Sequence, residues 1–150
     1  VIGYNYRLSN VSAGIGCGQM EVLPERVARR RAIHGLYANL FNDMPEIQVH
    51  DNPSADFDSN FWLTTILFDN SLGFTPEDLR QYLNEHNIES RWLWRPMNMQ
   101  PVYADAPFYG DGTAERLFNS GLCLPSGSIL TDEEIATVAT AIKAFVKSKS

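Results

Sequence analysis

The stretch FWLTTILF, residues 61–68, constrains the fold of this chain more than any other. It is β-branched and aromatic, with apolar groups at odd and even positions alike. A polar, turn-rich loop, HDNPSADFDS at 50–59, precedes it. Strict alternation would mark a strand with one wet face. An unbroken apolar run marks a strand covered on both sides. Such a strand needs partners in a sheet and layers packed against it, and the rest of the chain must supply them.

The helical segments have readable ends. Residues 9–20 are helical in pattern but rich in Gly and Ala. Pro24 then fits the first turn of a second helix, where its missing N–H costs nothing. That helix is expected to run to about Asn42, with Ile33, Leu36, Tyr37, Leu40 and Phe41 as one apolar stripe and Pro45 at the exit. Thr75-Pro76-Glu77-Asp78 reads as an N-cap, a proline at the first helical position and acids on the positive helix end, for a helix ending near His86. Residues 88–93 predict a second strand. Residues 94–112 hold three prolines and two glycines and predict a long ordered loop. Thr113 to Ser120 reads as a short helix with Gly121 at its C-terminal cap, and 122–124 as a short strand. Thr131 with Glu134 forms a capping box before a last helix that buries Ile135, Val138, Ile142 and Val146. At 150 residues, 44% of them hydrophobic, this is one α/β (α+β) domain or a piece of something larger: a small sheet with helices packed on it.

Charge narrows the partners. The net charge of −6 divides evenly between the two halves, with no basic arm, so a duplex-binding surface is not expected. Arg29-Arg30-Arg31 lies in a helical pattern and reads as a solvated helix face. No stretch approaches a membrane span and no signal peptide is visible. Cys17 and Cys123 read as buried free thiols of a cytoplasmic protein. His34, His50 and His86 lack metal-ligand spacing with either cysteine, so no metal site is expected. The chain opens on Val1, as in a processed protein or one cut from something longer.

Gly14, Gly16 and Gly18 raise the question of a phosphate-cradling loop. A dinucleotide-binding turn needs a strand before the glycines and an acidic residue beyond a second strand. Here the upstream residues are polar and the downstream region is helical. The glycines read as a device for close packing against another backbone. Lysine is confined to Lys143, Lys147 and Lys149. None has a phosphate-binding glycine loop, and none sits in a pattern suited to a desolvated Schiff-base lysine. There is no Cys/His nucleophile pair and no GxSxG elbow. Composition and spacing alone define no complete catalytic set.

Three motifs carry a resemblance. GYNYRLSNVSAGIGCGQMEVLPERVARRRAI, from Gly3, resembles the GYNYR-(L/M)-S stretch, small residues, Gln and ARRR helix of the DegT/DnrJ/EryC1/StrS family. These are pyridoxal-phosphate-dependent sugar aminotransferases of the aspartate-aminotransferase fold type. SRWLWRPMNMQPVY (90–103) is similar to the family's SRPLWKPMHLQPVF segment. LCLPSGSILTDEEI (122–135) resembles its closing strand, turn and helix. The order matches, and the resemblance covers essentially the whole chain.

The resemblance implies the small C-terminal domain of a fold-type I aminotransferase. Residues 1–44 would form a cofactor-contacting loop and linking helices, including a long N-terminal linking helix, and 45–150 the small αβ domain. The large domain with the cofactor lysine would be absent, leaving this piece inactive alone and without catalytic residues of its own. The resemblance also implies that Asn5 reaches across a homodimer to the phosphate of pyridoxal 5'-phosphate in the other subunit; by its residues alone Asn5 reads first as a turn asparagine in a polar loop. An amide N–H₂ donates to a phosphate oxygen without adding charge. For Arg7 two readings stay open, a second cofactor contact and a structural ion pair.

In the 91–103 loop, Trp92, Trp94 and Arg95 combine stacking faces with a fixed cation, which suits the base and diphosphate of a sugar nucleotide. The same tryptophans also fit a core or a dimer interface. The chain departs from the family pattern with Trp92, Arg95 and Asn98 where the segment above has Pro, Lys and His. Asn98 neither carries charge nor transfers a proton. The function implied is amination of a nucleotide-diphosphate-linked keto-sugar, with glutamate as amino donor, for polysaccharide, glycan or antibiotic sugar synthesis. The alternatives are a sugar dehydratase of the same family and a non-catalytic dimerisation or binding domain. No nucleic acid or membrane is expected as a partner.

Overall fold

The computed structural model describes residue 3, residues 7–69 and residues 72–149. Its elements follow in chain order: α1 (Asn10–Leu40), β1 (Ile47–Val49), β2 (Thr64–Phe68), α2 (Pro76–Glu85), β3 (Arg91–Trp92), α3 (Thr113–Ser120), β4 (Gly121–Leu124) and α4 (Asp132–Lys149). Short 3-10 turns occupy Met97–Met99 and Pro101–Tyr103.

The four strands form one sheet in the order β1-β2-β4-β3, with every neighbouring pair antiparallel. The central register places Thr64 opposite Leu124 and Ile66 opposite Leu122. These residues share one face because side chains alternate along a strand. That face is the core. Ile66, Phe68, Leu122 and Leu124 pack with Ile33, Tyr37 and Phe41 of α1, Leu79 and Leu83 of α2, and Ile135, Ile142 and Val146 of α4. Tyr37 is fully buried, and its hydroxyl donates to the Pro125 carbonyl at 2.9 Å. This ties the end of β4 to α1, and burial raises the phenol's pKa well above its ordinary value. The mixed α/β expectation holds, as do the ends of α2 and α3 and the start of α4.

Several local expectations do not hold. Asn10–Leu40 forms one 31-residue helix, where two were expected, with Pro24 inside it. Pro24 forfeits one backbone hydrogen bond, but its fixed φ is itself helical and it sits on an exposed turn. β1 was not expected; at three residues on a sheet edge it shows no period to read. β2 starts only at Thr64, because Phe61 has φ +46 and breaks the extended run. One face of β2 is fully buried and the other only partly. β3 is two residues long instead of six. Residue 88 is used in closing α2, where the Ile88 N–H bonds to the Leu83 carbonyl at 2.9 Å and Asn87 takes φ +57. Gly121 ends α3 as expected, but with φ −118 it is extended rather than left-handed. Cys17 is exposed, contrary to the expected buried thiol; Cys123 is buried.

The Arg29-Arg30-Arg31 run is not a solvated face. Arg29 bonds to Asp132 at 2.8 Å and to the Leu130 carbonyl. Arg30 donates to the carbonyls of Trp62 and Ser126. Arg31 bonds to Asp58 at 2.7 Å and to the Ser59 carbonyl at 3.1 Å. Together the three guanidinium groups fasten α1 to the loop before β2 and to the loop between β4 and α4. Charge patterning alone could not reveal this, because the acceptors are mostly backbone carbonyls.

The N-terminus of α2 carries a pH dependence. The Thr75 hydroxyl accepts from the Asp78 N–H at 3.2 Å, and the Asp78 carboxylate accepts from the Thr75 N–H at 2.7 Å. Hydrogen bonds from Arg80 and Gln81 hold the Glu77 carboxyl down to about 2, and the cap bonds lower Asp78 as well. A carboxylate whose folded pKa lies below its unfolded value stabilises above the unfolded value, and that support is lost as pH falls toward the folded one. The expected result is that wild type exceeds Glu77→Gln in melting temperature at neutral pH, and that the two converge between about pH 4.5 and pH 2. A difference that stays constant through this window would contradict the assignment.

Candidate functional site

The loop that leaves β3 is held on α3. Trp92 stacks on Phe118 with ring centroids 5.6 Å apart, and the Arg95 guanidinium lies over the same ring at 5.5 Å. Phe118 is buried and fixes both. One turn earlier on α3, Glu115 accepts a hydrogen bond from the Asn98 side-chain amide. That contact leaves the Asn98 carbonyl oxygen as an acceptor. Three of the four expected substrate residues, Trp92, Arg95 and Asn98, are therefore organised by one short helix. Its sequence, TAERLFNS, alternates the two anchors with exposed polar groups.

Trp94 is placed differently. It is 66% exposed and meets Trp62, itself 59% exposed, at 5.7 Å between ring centroids and a 40° tilt. Two touching indoles in solvent are unusual, and Trp62 was not singled out from the sequence. Its backbone is held from several sides. Phe61 has φ +46, a conformation costing on the order of 1–3 kcal/mol for a bulky residue. The His34 ring stacks on Phe61 at 3.7 Å, while Arg30 and Arg31 bond to the carbonyls of Trp62 and Ser59. Burial lowers the His34 pKa, with a smaller opposing effect from Asp51. The signal available in sequence was an exposed-type aromatic, Trp62, beside the polar DSN run, where a strand was expected to be covered.

The other expected residues lie elsewhere. Arg7 is exposed, two residues ahead of Ser9, which caps α1 by accepting from the Ser12 N–H. Asn5 lies outside the described residues. The glycines at 14, 16 and 18 are on an exposed part of α1, and a Cβ added to any of them would meet nothing within 4 Å. Val11, Ile15 and Met20 are exposed on the same stretch. Lys143 is paired with Asp43 at 2.7 Å, and Lys147 and Lys149 are exposed at the end of α4. Burial raises the Cys123 thiol pKa, which disfavours its thiolate. Among the described residues, no group of three or more His, Cys, Asp or Glu side chains could hold a metal, and no helix is long and apolar enough to cross a membrane.

A small antiparallel sheet backed by helices, with an aromatic and cationic loop presented by α3, defines a small mixed α/β domain. The DegT/DnrJ/EryC1/StrS aminotransferase family matches this chain over residues 1–143, and the chain belongs to that family. It is 45% identical over 137 residues to EpsN of Bacillus subtilis (strain 168), assigned as a pyridoxal phosphate-dependent aminotransferase; the match covers 89% of this chain and 34% of EpsN. It is 32% identical over 149 residues to the GDP-perosamine synthase of Escherichia coli O157:H7, covering 99% of this chain and 39% of the relative. Among solved structures, Helicobacter pylori PseC, an aminotransferase involved in the biosynthesis of pseudoaminic acid, superposes with a TM-score of 0.87 at 20% identity, over 99% of this chain and 40% of PseC. The chain thus spans little more than a third of the length of these relatives.

Proposed function

We propose that this chain is the small-domain part of an enzyme that transfers an amino group, from glutamate, to a keto-sugar carried on a nucleoside diphosphate. Residues 1–44 would link it to the large domain and 45–150 form the small αβ domain. The observation that carries the reading is the loop on α3, in a chain that matches a family of aminotransferases. Trp94 offers an open π-face to a base or a sugar ring, Arg95 a fixed cation to the diphosphate, and Asn98 an acceptor to a sugar hydroxyl. Trp92 supports the loop through Phe118. The product would enter polysaccharide, glycan or antibiotic-sugar synthesis in the cytoplasm.

The residues present fit part of a pyridoxal phosphate site. An amide at Asn5 and a guanidinium at Arg7 are suited to a phosphate, and both precede α1. None of the three lysines suits the covalent bond, since one is salt-bridged and two are in solvent. The cofactor supplies the electron sink for amino transfer when bound. This chain's part is to hold the cofactor phosphate of the partner subunit in a homodimer and to orient the nucleotide sugar. The exposed apolar and glycine-bearing stretch of α1 is the surface that would pack in that dimer.

The test uses the full-length enzyme with its cofactor in the amine form. Adding nucleotide-linked keto-sugars should abolish the amine-form absorbance and put nitrogen into the sugar. Trp94→Ala should raise KM about tenfold with little change in kcat, as expected for a lost stacking contact of about 1.5 kcal/mol. A product that has lost water and gained no nitrogen would identify a dehydratase instead. No reaction with any nucleotide keto-sugar would overturn the reading.

A further inference from the structure

A cleft of about 500 Å³ lies between the segment after α2, β4 and the first half of α4. That size is within the range of small-molecule sites. Its apolar lining includes Leu63, Ile88, Leu124, Leu130 and Val138. Its polar groups have an unusual bias. The His86 Nδ1 contacts the Tyr82 carbonyl at 2.8 Å. A carbonyl only accepts, so Nδ1 carries the proton in the neutral ring and Nε2 presents a lone pair. The Thr137 hydroxyl gives its proton to the Glu133 carbonyl at 2.8 Å, and the Ser126 hydroxyl gives its proton to the Leu124 carbonyl at 2.8 Å. Thr137 keeps only acceptor capacity for anything else, while the Ser126 oxygen already accepts from the Thr64 N–H at 2.8 Å.

The charges point the same way. Glu89 and Arg91 neutralise each other through two hydrogen bonds. Glu134 accepts the Thr131 N–H through one carboxylate oxygen at 2.8 Å and keeps the other. It is one of three acids in the first turn of α4; Asp132 is paired with Arg29, which leaves Glu133 and Glu134 at the positive helix end. Ser90, in the cleft wall, is 8% exposed, and its hydroxyl has no partner. A buried polar group left unpaired is costly and calls for an explanation. The cleft therefore offers acceptors and a net negative charge above an apolar floor.

From these features we infer that the cleft is a binding site for a small organic cation, a primary amine carried on an aromatic or branched aliphatic body. The ammonium donates to Glu134, Thr137 and His86, and the body lies on the apolar lining. This site shares no residue with the loop proposed for the nucleotide sugar apart from its neighbour in the chain at Arg91, and it does not depend on that proposal.

Calorimetric titration of the full chain with 2-phenylethylamine tests it, with 3-phenylpropionate and 2-phenylethanol as the anionic and neutral comparators. The amine should bind with a dissociation constant of roughly 0.1–1 mM, as expected for a fragment of about nine heavy atoms, and the carboxylate should not bind. Glu134→Gln should weaken the amine at least tenfold, consistent with loss of a charge-assisted hydrogen bond. Glutamine still serves in a capping box, so the fold is kept. Thr137→Phe, at an exposed position of α4, should fill the cleft and abolish binding. No saturation below about 10 mM, equal binding of the carboxylate, or an amine affinity unchanged in both variants would each overturn the inference.

Discussion

Gly121→Val is expected to remove about 3 kcal/mol of stability, the upper end of the usual ~1–3 kcal/mol overpacking range. Gly121 is where α3 becomes β4, the strand at the centre of the sheet between β2 and β3. A Cβ there would lie 2.8 Å from the Leu117 carbonyl oxygen and 2.9 Å from Leu67 Cδ2, and would also strike Leu93 Cδ1. Leucine side chains can turn aside. The carbonyl belongs to the last turn of α3 and can move only with the helix, which carries the Phe118 and Glu115 anchors of the loop. The same change should therefore disturb the Trp92 and Arg95 positions. With an m-value of about 1–3 kcal/mol/M, the urea midpoint should fall by at least ~1 M. Gly16→Ala is the counterpart: nothing lies within 4 Å, so in this chain it should stabilise α1 by up to ~1 kcal/mol through helix propensity. A wild-type midpoint for Gly121→Val would mean that α3 and β4 do not meet as described.

Elements with strong local chemistry were legible in the sequence. The Thr75 N-cap, the Thr131 capping box and the apolar positions of α4 were legible because each is specified by neighbours in the chain; that Asp78 completes a capping box with Thr75 needed the fold. The proline at 24 misled, because its helix-starting signal is the same whether or not residues upstream continue the helix. β1 and the shortened β3 were illegible because two- or three-residue strands gain their hydrogen bonds from distant partners. The arginine run was misread for a related reason: its acceptors are loop carbonyls about 30 and 100 residues away. Of the candidate site, the residue types at 92, 94, 95 and 98 were visible. The platform of Phe118 and Glu115, and the Trp62 partner of Trp94, needed the fold.

For Asn5 we propose a hydrogen bond to the cofactor phosphate of the partner subunit. In the full-length enzyme, Asn5→Ala should weaken cofactor retention by about 10- to 150-fold, as expected when a hydrogen bond to a charged group worth ~1.5–3 kcal/mol is lost. The direct test mixes Asn5→Ala subunits with subunits lacking the cofactor lysine. In each heterodimer one site has the lysine together with the partner's intact Asn5, and the other has neither. The account predicts that mixing restores one near-normal site per heterodimer, seen as recovered cofactor retention and amino transfer, while the Asn5→Ala homodimer stays weak. If heterodimers form and nothing is restored, Asn5 does not act across the dimer, and the assignment of Asn5 to the partner's cofactor fails.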